Sequence, residues 1–521
     1  MNDTVPDQDQ MLAPATPEER ERFRFLQERF AQSYTEIFDD AKLPRSVLIV
    51  PSLSLDQQVM AKISGVHHYE ERLLCLLLLL RMPRTRVIYV TSTPIHESII
   101  DYYLHLLPGV PGQHARGRLI LLSCDDASPI ALTSKILSRP RLIERIKQAI
   151  PDTGSAHMTC FTVSELERRL ALRLDLPIYG CDPSLAYWGT KSGSRKVFRE
   201  AGIDHPAGFE DLADPVNVAD ALVELKAKKP RLRKAVVKLN EGFSGEGNAL
   251  LDLEGAPERG SLMPWLRARL PHLAFEAKGM TWETFQEKLG SMGGIVEEFV
   301  PGQVKESPSA QLRVDPKGRV EVISTHDQVL GGRSGQIFLG CRFPAAKPYR
   351  LDIQEKGLQA AQLLASKGVI GRFGVDFISV KEGDCWRHLG IEINLRKGGT
   401  THPFQMLQFL TDGRYDTATG QFLTMAGQPR CYYASDNLES ERYRGLTPED
   451  LIDISVMNSL HFHAALGEGV AFHLIGALSE FGKLGVVCIG GTHERAEALY
   501  RNTVQVLDAE GSISPRVRDT Q

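Results

Sequence analysis

Short apolar runs that alternate with helical stretches constrain the first third of this chain more than any other feature. Four such runs lie at residues 46–50, 86–90, 118–122 and 157–161, with the sequences SVLIV, RVIYV, RLILL and HMTCF. Runs of this kind, separated by helices, are typical of a parallel sheet that is buried on both faces. No G-x-G-x-x-G fingerprint follows the first run, which leads into PSLSLD, so dinucleotide binding has little support.

Length and charge narrow the class of protein. A chain of 521 residues is too long for one core and predicts about three domains. Its 61 basic and 65 acidic residues give a net charge of −4. Because there is no basic surplus, we expect neither nucleic acid nor an anionic membrane as a partner.

Three features predict where in the cell the protein is located: the apolar run LLCLLLLL, the first residues and the cysteines. The run covers only residues 73–80, between Arg72 and Arg81, whereas a membrane span needs about 20 residues. It therefore predicts a buried helix. The polar start MNDTVPDQDQ has no signal-peptide pattern, and eight scattered cysteines are typical of reduced thiols. We expect a cytoplasmic protein.

The pattern changes after about residue 182. Glycine becomes frequent, and two hairpins are predicted, in QLRVDPKGRVEVIS (311–324) and FGVDFISVKEGDCWRHLGIEINL (373–395). The last section, from about residue 430, predicts a helix that continues through His461 and His463, two strands and a final helix. These features favour an α+β region followed by a small α/β region.

Polar and apolar side chains alternate in the stretch IEINLRKGG, residues 391–399. On a strand, Glu392, Asn394 and Arg396 would share one face. Asp376 lies in the preceding strand of the same hairpin, so its carboxylate can converge on them. Two carboxylates and an amide oxygen suit Mg²⁺, which completes its shell with water and phosphate oxygens. The alternative is a solvated strand face, which the flanking glycines make less favourable.

A glycine-rich loop follows an apolar strand in VVKLNEGFSGEGN, residues 236–248. The strand delivers Lys238, and the glycines expose backbone N–H groups that can cradle phosphates. The loop is not a Walker A motif because no Gly-Lys-Ser/Thr follows. Taken alone, this pattern fits a plain hairpin loop equally well.

Two other patterns are also weak when taken singly. IVEEFVPG, residues 295–302, offers the apolar walls and the backbone edge of an adenine pocket, but it also fits a strand end with exposed acids. Lys191 precedes an amphipathic helix, where a solvated lysine is the plain alternative. Their order along the chain carries more information: Lys191, Lys238 with its glycine loop, EEFV, Asp376, and then Glu392-x-Asn394-x-Arg396.

In this order and spacing the chain resembles the ATP-grasp superfamily, and it looks most like the pheganomycin-type peptide ligases. The resemblance covers residues 180–425 and reaches the flanks through the tract EINLRKGGTTHPF. It implies an α/β and α+β fold with four parts. They are a polar leader and helix (1–43), a Rossmann-like pre-ATP-grasp domain with a parallel sheet (44–180), a two-lobed ATP-grasp domain (181–428) and a small C-terminal α/β domain (429–521).

The resemblance also implies a role for each matching residue. Those at the nucleotide ATP would be Lys191, Lys238, Phe243, Ser244, Gly245, Glu297, Glu298, Phe299, Val300 and Glu306. The lysines would contact phosphates, residues 243–245 would form a lid, Glu297 and Val300 would contact adenine, and Glu306 would contact ribose. The magnesium ligands would be Asp376, Glu392 and Asn394, with Mn²⁺ as an alternative metal.

Two arginines are candidates for the catalytic residue that supplies positive charge. Arg396 matches the arginine that, in several family members, steadies the transferring phosphate or the carboxylate. Some amino-acid ligases instead carry an arginine two residues before the metal aspartate, where this chain has Gly374. Arg372, two residues further back, would point the same way on a strand and is the second candidate.

Candidate substrate contacts are Arg313, Arg333, Gly399, Thr400 and His402. The arginines could bind a carboxylate bidentately, although surface arginines on hairpins are the plain alternative. A structural role before Pro403 is the alternative for His402. His461 and His463 are two residues apart in a predicted helix and would diverge, which disfavours a metal site there.

The predicted activity is that of an ATP-dependent carboxylate–amine ligase. It would form an amide, ADP and phosphate through an acylphosphate, with a small-molecule acid and amine (amino acids or a peptide) as substrates. The alternatives are another ATP-grasp enzyme, a small-molecule kinase or a carboxylase, and a non-catalytic nucleotide-binding module. No heptad or self-complementary patch indicates the oligomeric state.

Overall fold

The computed structural model of the chain describes residues 13–40, 42–54, 60, 63–242, 247–257, 259–277, 279–331 and 337–511. Three sheets organise this part of the chain: a parallel sheet of four strands, an antiparallel sheet of five strands and a large sheet of eleven strands. The mixed α/β and α+β class predicted from the sequence is confirmed. No helix among the described residues combines the length and the apolar content needed to cross a membrane.

The first sheet contains the four predicted apolar runs. Its strands are β1 (Arg45–Val50), β2 (Thr85–Thr91), β3 (Leu119–Ser123) and β4 (Ala156–Cys160). They are all parallel, in the order β3-β2-β1-β4. Every residue of β1 and β4 is buried, which explains why these runs are continuous rather than alternating.

Helices surround this sheet on both faces. They are α1 (Pro17–Asp39), α2 (Glu97–His105), α3 (Gly112–Arg116), α4 (Leu132–Leu137), α5 (Pro140–Ala149) and α6 (Glu165–Leu174). The first begins at Pro17 because Thr16 and Glu19 form a capping box around its exposed N–H groups. A 3₁₀ turn, Thr153–Ser155, leads into β4.

The apolar run LLCLLLLL lies in a 3₁₀ helix, Val66–Arg81. Leu73, Leu74 and Leu77 are fully buried in the core beneath β2, which confirms the prediction of a buried helix. All eight cysteines, including Cys75 on this helix, are free thiols.

The second sheet is small and antiparallel. Its strands are β5 (Gly208–Leu212), β6 (Lys234–Leu239), β7 (Asn248–Asp252), β8 (Ala274–Phe275) and β9 (Gly294–Glu298). They lie in the order β5-β9-β6-β7-β8. The associated helices are α7 (Lys191–Glu200), α8 (Pro215–Lys228), α9 (Arg259–Arg269) and α10 (Trp282–Met292), with 3₁₀ turns at Pro183–Gly189 and Leu270–His272.

The large sheet contains both predicted hairpins. Its strands are β10 (Lys305–Glu306), β11 (Pro308–Val314), β12 (Val320–Gly331), β13 (Ile337–Phe343), β14 (Gly371–Glu382), β15 (Cys385–Asn394), β16 (Arg414–Asp416), β17 (Gln421–Leu423), β18 (Pro429–Glu439), β19 (Gly469–His473) and β20 (Lys483–Gly490). Strands β11 and β12 pair antiparallel, as do β14 and β15. Helices α11 (Arg350–Ser366) and α12 (Thr401–Thr411) pack near these strands.

The C-terminal section joins this large sheet. Strand β18 pairs with β13 on one side and β20 on the other, and β19 continues from β20. Helices α13 (Pro448–Met457), α14 (Leu478–Phe481) and α15 (His493–Glu510) complete the section, with 3₁₀ turns at Glu441–Tyr443 and Ile475–Ala477. The two predicted strands and the final helix of this section are therefore present.

The prediction that His461 and His463 lie in a helix is wrong. Helix α13 ends at Met457, and Ser459 adopts a left-handed backbone with φ of 53°. Both histidines instead make isolated bridges, His461 with Val470 and His463 with Glu468. Because a left-handed residue breaks helical continuity, the chain turns into an extended segment there.

Candidate active site

A cavity of about 690 Å³ lies between the small antiparallel sheet and the large sheet. Strands β6 and β9 line it on one side, and strands β11, β14 and β15 line it on the other. The 3₁₀ helix Val66–Arg81 and the segment after β15 close one end. This volume falls within the range of small-molecule binding sites.

Two carboxylates and an amide meet on the hairpin formed by β14 and β15. The strand register places Asp376 opposite Glu392, and Gly374 opposite Asn394. The Asn394 side-chain amide donates to Asp376 Oδ2 at 2.9 Å. Ile391 is an extra residue in β15, so a bulge adjoins the acidic pair, as is common beside functional sites. All three predicted metal ligands line the cavity.

The two carboxylates of this hairpin repel each other. Burial, followed by the charge of the neighbouring Glu392 carboxylate, raises the pKa of Asp376 to about 7. Gln328 donates to the other oxygen of Asp376 at 3.0 Å. A divalent cation would relieve the repulsion between the two carboxylates, so the donor set fits one.

A cation at this position would need ligands beyond the protein. Among the described residues, no group of three or more His, Cys, Asp or Glu side chains is placed to hold a metal ion. The hairpin offers two carboxylates and one amide instead. This incomplete oxygen set is what Mg²⁺ uses when water and phosphate oxygens supply the remaining positions.

Lys191 reaches the acidic hairpin from the first turn of α7. Its Nζ lies 3.4 Å from Glu392 Oε1, and its side chain is buried. Thr190 caps this helix through the N–H of Gly193. A Cβ at Gly193 would lie 1.9 Å from the carbonyl oxygen of Tyr187, so only glycine lets the helix start this close to the preceding turn.

Lys238 is held in place by a buried acid. Its Nζ lies 2.5 Å from Glu297 Oε1, and Arg195 Nη1 lies 3.3 Å from Glu297 Oε2. Glu297 sits on β9 between β5 and β6, where its side chain is almost fully buried. Both Lys238 and Glu297 line the cavity, but the carboxylate of Glu297 is occupied by these two cations.

The segment after β9 forms an apolar corner of the cavity. Val300 packs in a small cluster with Val380, Leu389 and Ile378 of the hairpin. Lys305 donates to the carbonyl oxygen of Val300 at 3.2 Å, and its ammonium group lies 4.7 Å from the centre of the Phe299 ring.

Two acids, Glu298 and Glu306, flank this apolar corner, and both line the cavity. Glu306 is exposed on β10 and lines the cavity. The carboxylate of Glu298 accepts hydrogen bonds from the Ala207 N–H and from Lys229, although the residue also borders the cavity.

The two candidate arginines occupy different places. Arg396 lines the cavity, donates to Asn394 Oδ1 at 3.3 Å, and has a pKa lowered by burial. Arg372 lies further along β14, opposite Arg313 on β11. Burial, followed by the charge of Arg313, lowers the pKa of Arg372 to about 10. Arg372 is not among the described residues that line this cavity.

Some of the predicted substrate contacts line the cavity, and others do not. Gly399 and Thr400 line the cavity. Arg313 pairs with Glu321 on the neighbouring strand. His402 is buried, with its Nε2 2.9 Å from His473 Nε2. Neither Arg313 nor His402 is among the described residues of the cavity wall. The predicted contacts Phe243, Ser244, Gly245 and Arg333 lie outside the described residues.

The sequence interpretation missed the residues at the other end of the cavity. Tyr69 and Arg72 come from the 3₁₀ helix, Phe161 follows β4, and Asp436 lies on β18. Arg72 forms a buried ion pair with Asp436, across 364 residues of sequence. The only local signal was an arginine beside an apolar run, which reads as an ordinary helix flank.

Family profiles match the chain in two regions. The profile described as "IQCH-like, ATP-grasp" matches residues 183–263 and 261–418, and the profile "PGM1 C-terminal domain" matches residues 450–503. The first match contains the small sheet, the hairpin and most of the cavity wall. Fold, site and profile together define an ATP-grasp protein.

One curated relative extends over nearly the whole chain. It is the L-propargylglycine–L-glutamate ligase of Streptantibioticus cattleyicolor, 29% identical over 470 residues, which cover 88% of this chain and 93% of that enzyme. The IQ motif-containing protein H of Danio rerio is 24% identical over 450 residues, which cover 77% of this chain but 42% of that protein. The chain belongs to the ATP-grasp superfamily and is an enzyme of its ligase type, as predicted.

Solved structures share the fold. A biotin carboxylase from Campylobacter jejuni, in complex with β,γ-ATP, aligns with a TM-score of 0.54 and 14% identity over 91% of this chain and 96% of that chain. The biotin carboxylase domain of the 2-oxoglutarate carboxylase from Hydrogenobacter thermophilus, in complex with MgADP, ADP and bicarbonate, also has a TM-score of 0.54. It is 12% identical over 90% of this chain and 94% of that chain. At such low identity these neighbours establish the architecture alone.

Proposed function

We propose that this enzyme activates the carboxylate of one small substrate with ATP and joins it to the amine of a second, with ADP and phosphate as the other products. The observation that carries the proposal is the convergence of Asp376, Glu392 and Asn394 with Lys191 and Lys238 in one cavity. An anionic nucleophile and a triphosphate repel each other. Bringing them together needs carboxylates that bind a metal cation and lysines that contact the phosphates.

The residues that line the cavity favour one orientation of the nucleotide. The apolar corner of Val300, Val380 and Leu389 would cover the adenine, with backbone groups after β9 as hydrogen-bond partners. Lys191 and Lys238 would contact the phosphates, and Glu306, which is exposed on the cavity wall, would contact the ribose hydroxyls. The carboxylate of Glu297 would orient Lys238 rather than contact the base, because both of its oxygens already face cations.

Asp376, Glu392 and Asn394 would hold a magnesium ion. The ion would supply positive charge beside the triphosphate and reduce its repulsion of the incoming carboxylate. Lys191 would then keep its place between Glu392 and the phosphates, since its Nζ already lies 3.4 Å from that carboxylate.

The reaction proceeds in two steps. A carboxylate oxygen of the acid attacks the γ-phosphorus, the bond between that phosphorus and the β,γ-bridging oxygen breaks, and ADP leaves. The amine nitrogen then attacks the carbonyl carbon of the acylphosphate, phosphate leaves, and the nitrogen loses its proton. Arg396 borders the site and would stabilise the charge on the transferring phosphate and the acyl oxygen. Holding both substrates together contributes roughly 7 kcal/mol or more.

The substrate class follows from the relative and the cavity. The relative's name specifies two amino acids, L-propargylglycine and L-glutamate. We infer that amino acids or short peptides are also the acid and the amine here. The enzyme would act in the cytoplasm, because its eight free thiols suit a reducing compartment.

Product analysis tests this function. Purified enzyme, ATP and Mg²⁺ are incubated with pairs of amino acids, ADP release is measured, and products are identified by mass spectrometry. We expect ADP release that requires both substrates, together with a product lighter by one water than their sum. A phosphorylated hydroxyl compound would instead indicate a kinase. ATP binding without turnover across a broad panel would contradict the proposal.

A further inference from the structure

The cavity wall contains an arginine that the proposed nucleotide site does not use. Arg72 lies on the 3₁₀ helix and is 7% exposed. One of its nitrogens, Nη2, pairs with Asp436. Among the described residues, its Nε is a buried donor without a hydrogen-bond partner. Arg72 lines the cavity, and a buried guanidinium with an unsatisfied donor is unfavourable, so the group as a whole favours a further anionic partner there.

Aromatic rings fix the orientation of this guanidinium. The centre of the Tyr69 ring lies 4.2 Å from Arg72 Cζ, and that of the Phe161 ring lies 5.8 Å away. The side chain of Asn437 donates to Asp436 at 3.0 Å. This hydrogen bond fixes the carboxylate that pairs with Arg72. Because Arg72 is fixed by stacking and by an ion pair, it presents its remaining donors in a preorganised fork, the geometry that matches a carboxylate.

The position of Arg72 relative to the reacting groups defines which substrate it can serve. Arg72 is joined to the segment that follows Arg396: the Lys397 N–H donates to the carbonyl oxygen of Phe161 at 3.2 Å, and the Phe161 ring lies 5.8 Å from Arg72 Cζ. The two lysines instead contact Glu392 and Glu297. A carboxylate bound by Arg72 would therefore be held by a different group from the lysines that would contact the phosphates, and we assign it to the substrate that is not phosphorylated.

We propose that Arg72 binds the free carboxylate of the amine substrate, and that this substrate is therefore an α-amino acid rather than a simple amine. This inference rests on the proposed ligase function. In an α-amino acid the amine is on the carbon next to the carboxylate, so binding at Arg72 directs the amine toward Arg396 and the activated acyl group. Phe161 and Phe338 supply apolar walls for its side chain.

Hydroxylamine separates the two substrates in a test. It is a small amine without a carboxylate, and it converts an acylphosphate into a hydroxamate. The wild-type enzyme is incubated with ATP, Mg²⁺, hydroxylamine and each standard L-amino acid as acyl donor. Amide formation is then measured with L-amino acids and with their amides, which lack the carboxylate, as acceptors. Absence of any hydroxamate would overturn the ligase function itself, and the inference with it.

The variants then test Arg72. In Arg72→Ala we expect hydroxamate formation to remain within a few-fold of wild type, while KM for the amino-acid acceptor rises by about 10- to 150-fold. The preference of the wild type for the acid over its amide should disappear. Arg72→Lys keeps the charge but loses the fork, and we expect an intermediate KM.

A matched control lies on the same helix. Arg81→Ala breaks the ion pair with Asp412 at 2.9 Å, away from the described cavity wall, and should leave the acceptor preference unchanged. If Arg72→Ala fails to fold, the Lys variant decides. Loss of hydroxamate formation in a folded Arg72 variant would assign Arg72 to the acyl donor or to the phosphates. An unchanged preference for the acid over the amide would likewise overturn the inference.

Discussion

Lys191 and Glu392 are 201 residues apart in the sequence, and their charged atoms lie 3.4 Å apart in the cavity wall. One is in the first turn of a helix, and the other is on a hairpin strand of the large sheet. The contact joins the group expected to face phosphates to the group expected to face the metal. Both sides of the proposed chemistry therefore depend on how these two elements are positioned.

Glu392→Gln is expected to abolish turnover while the fold is retained, because the change removes one of the two carboxylates that would hold Mg²⁺. ADP release with saturating substrates measures the loss, and circular dichroism and thermal unfolding check the fold. Glu382→Gln is the matched control on the same hairpin, since Glu382 pairs with Arg387 near the exposed turn. Wild-type turnover in Glu392→Gln would contradict the metal assignment.

Lys238→Met is expected to raise the dissociation constant for ADP by about 10- to 150-fold, because a charged contact to the phosphates is lost. Isothermal titration calorimetry measures it. The variant leaves Glu297 with Arg195 as its cation, so some stability should also be lost. The double variant Lys238→Met/Glu297→Gln should recover part of the stability without recovering affinity.

Lys229→Met provides the comparison for Lys238. That lysine pairs with Glu298 and is not among the described residues of the cavity wall. Nucleotide affinity should therefore stay near that of the wild type. Equal losses in the two variants would show that the effect at Lys238 is not a phosphate contact.

Arg396→Ala is expected to lower kcat by about 10²- to 10³-fold, the usual cost of removing one group that stabilises developing charge. ADP affinity should change little, because ADP lacks the γ-phosphate that Arg396 would contact. Steady-state kinetics and calorimetry measure the two quantities. Arg396→Lys, which keeps the charge, should be intermediate. A large loss of ADP affinity with unchanged kcat would assign Arg396 to the nucleotide instead.

His326→Gln is expected to change how stability depends on pH. His326 is fully buried beside Tyr432, and burial lowers its pKa from 6.5 to about 3. The unfolded chain takes up the proton first, so the free energy of unfolding falls as pH drops below 6.5. One such group contributes about 1.4 kcal/mol per pH unit between these values.

The stability gap between wild type and His326→Gln should therefore narrow from pH 7 to pH 5, because glutamine does not titrate. Thermal unfolding at several pH values measures this gap. The contributions of the other buried histidines cancel in it, because both proteins contain them. His105→Gln, at an exposed histidine, should leave the gap constant. A gap that is independent of pH in His326→Gln would contradict the expected contribution.

The acidic hairpin could be predicted because its information is local. Asp376, Glu392 and Asn394 follow the period of two that a strand imposes, and a short turn brings their strands together. The four strands of the parallel sheet were equally accessible, since full burial on both faces requires continuous apolar runs. In these places the spacing of side chains along the sequence directly specifies their neighbours.

Other residues depend on packing between distant elements. Arg72 and Asp436 meet across 364 residues, and no period or motif connects them. Arg372 shares a strand face with Asp376, as expected, but it lies where β14 pairs with Arg313 of β11. Glu297 is in the predicted segment, yet its side chain turns to Lys238 and Arg195 because β9 is central in its sheet. The period of two along a strand predicts the face on which a side chain lies. The residue that the side chain contacts depends on the tertiary structure.

The incorporation of β18 and β20 into the large sheet has a consequence for engineering. Asp436, which holds Arg72, belongs to a strand that is hydrogen-bonded to β13 and β20. Exchange of the C-terminal section between related enzymes would cut a continuous sheet and expose its edges. New acceptor preferences would therefore be reached more readily by point substitutions around Arg72 than by recombining whole segments.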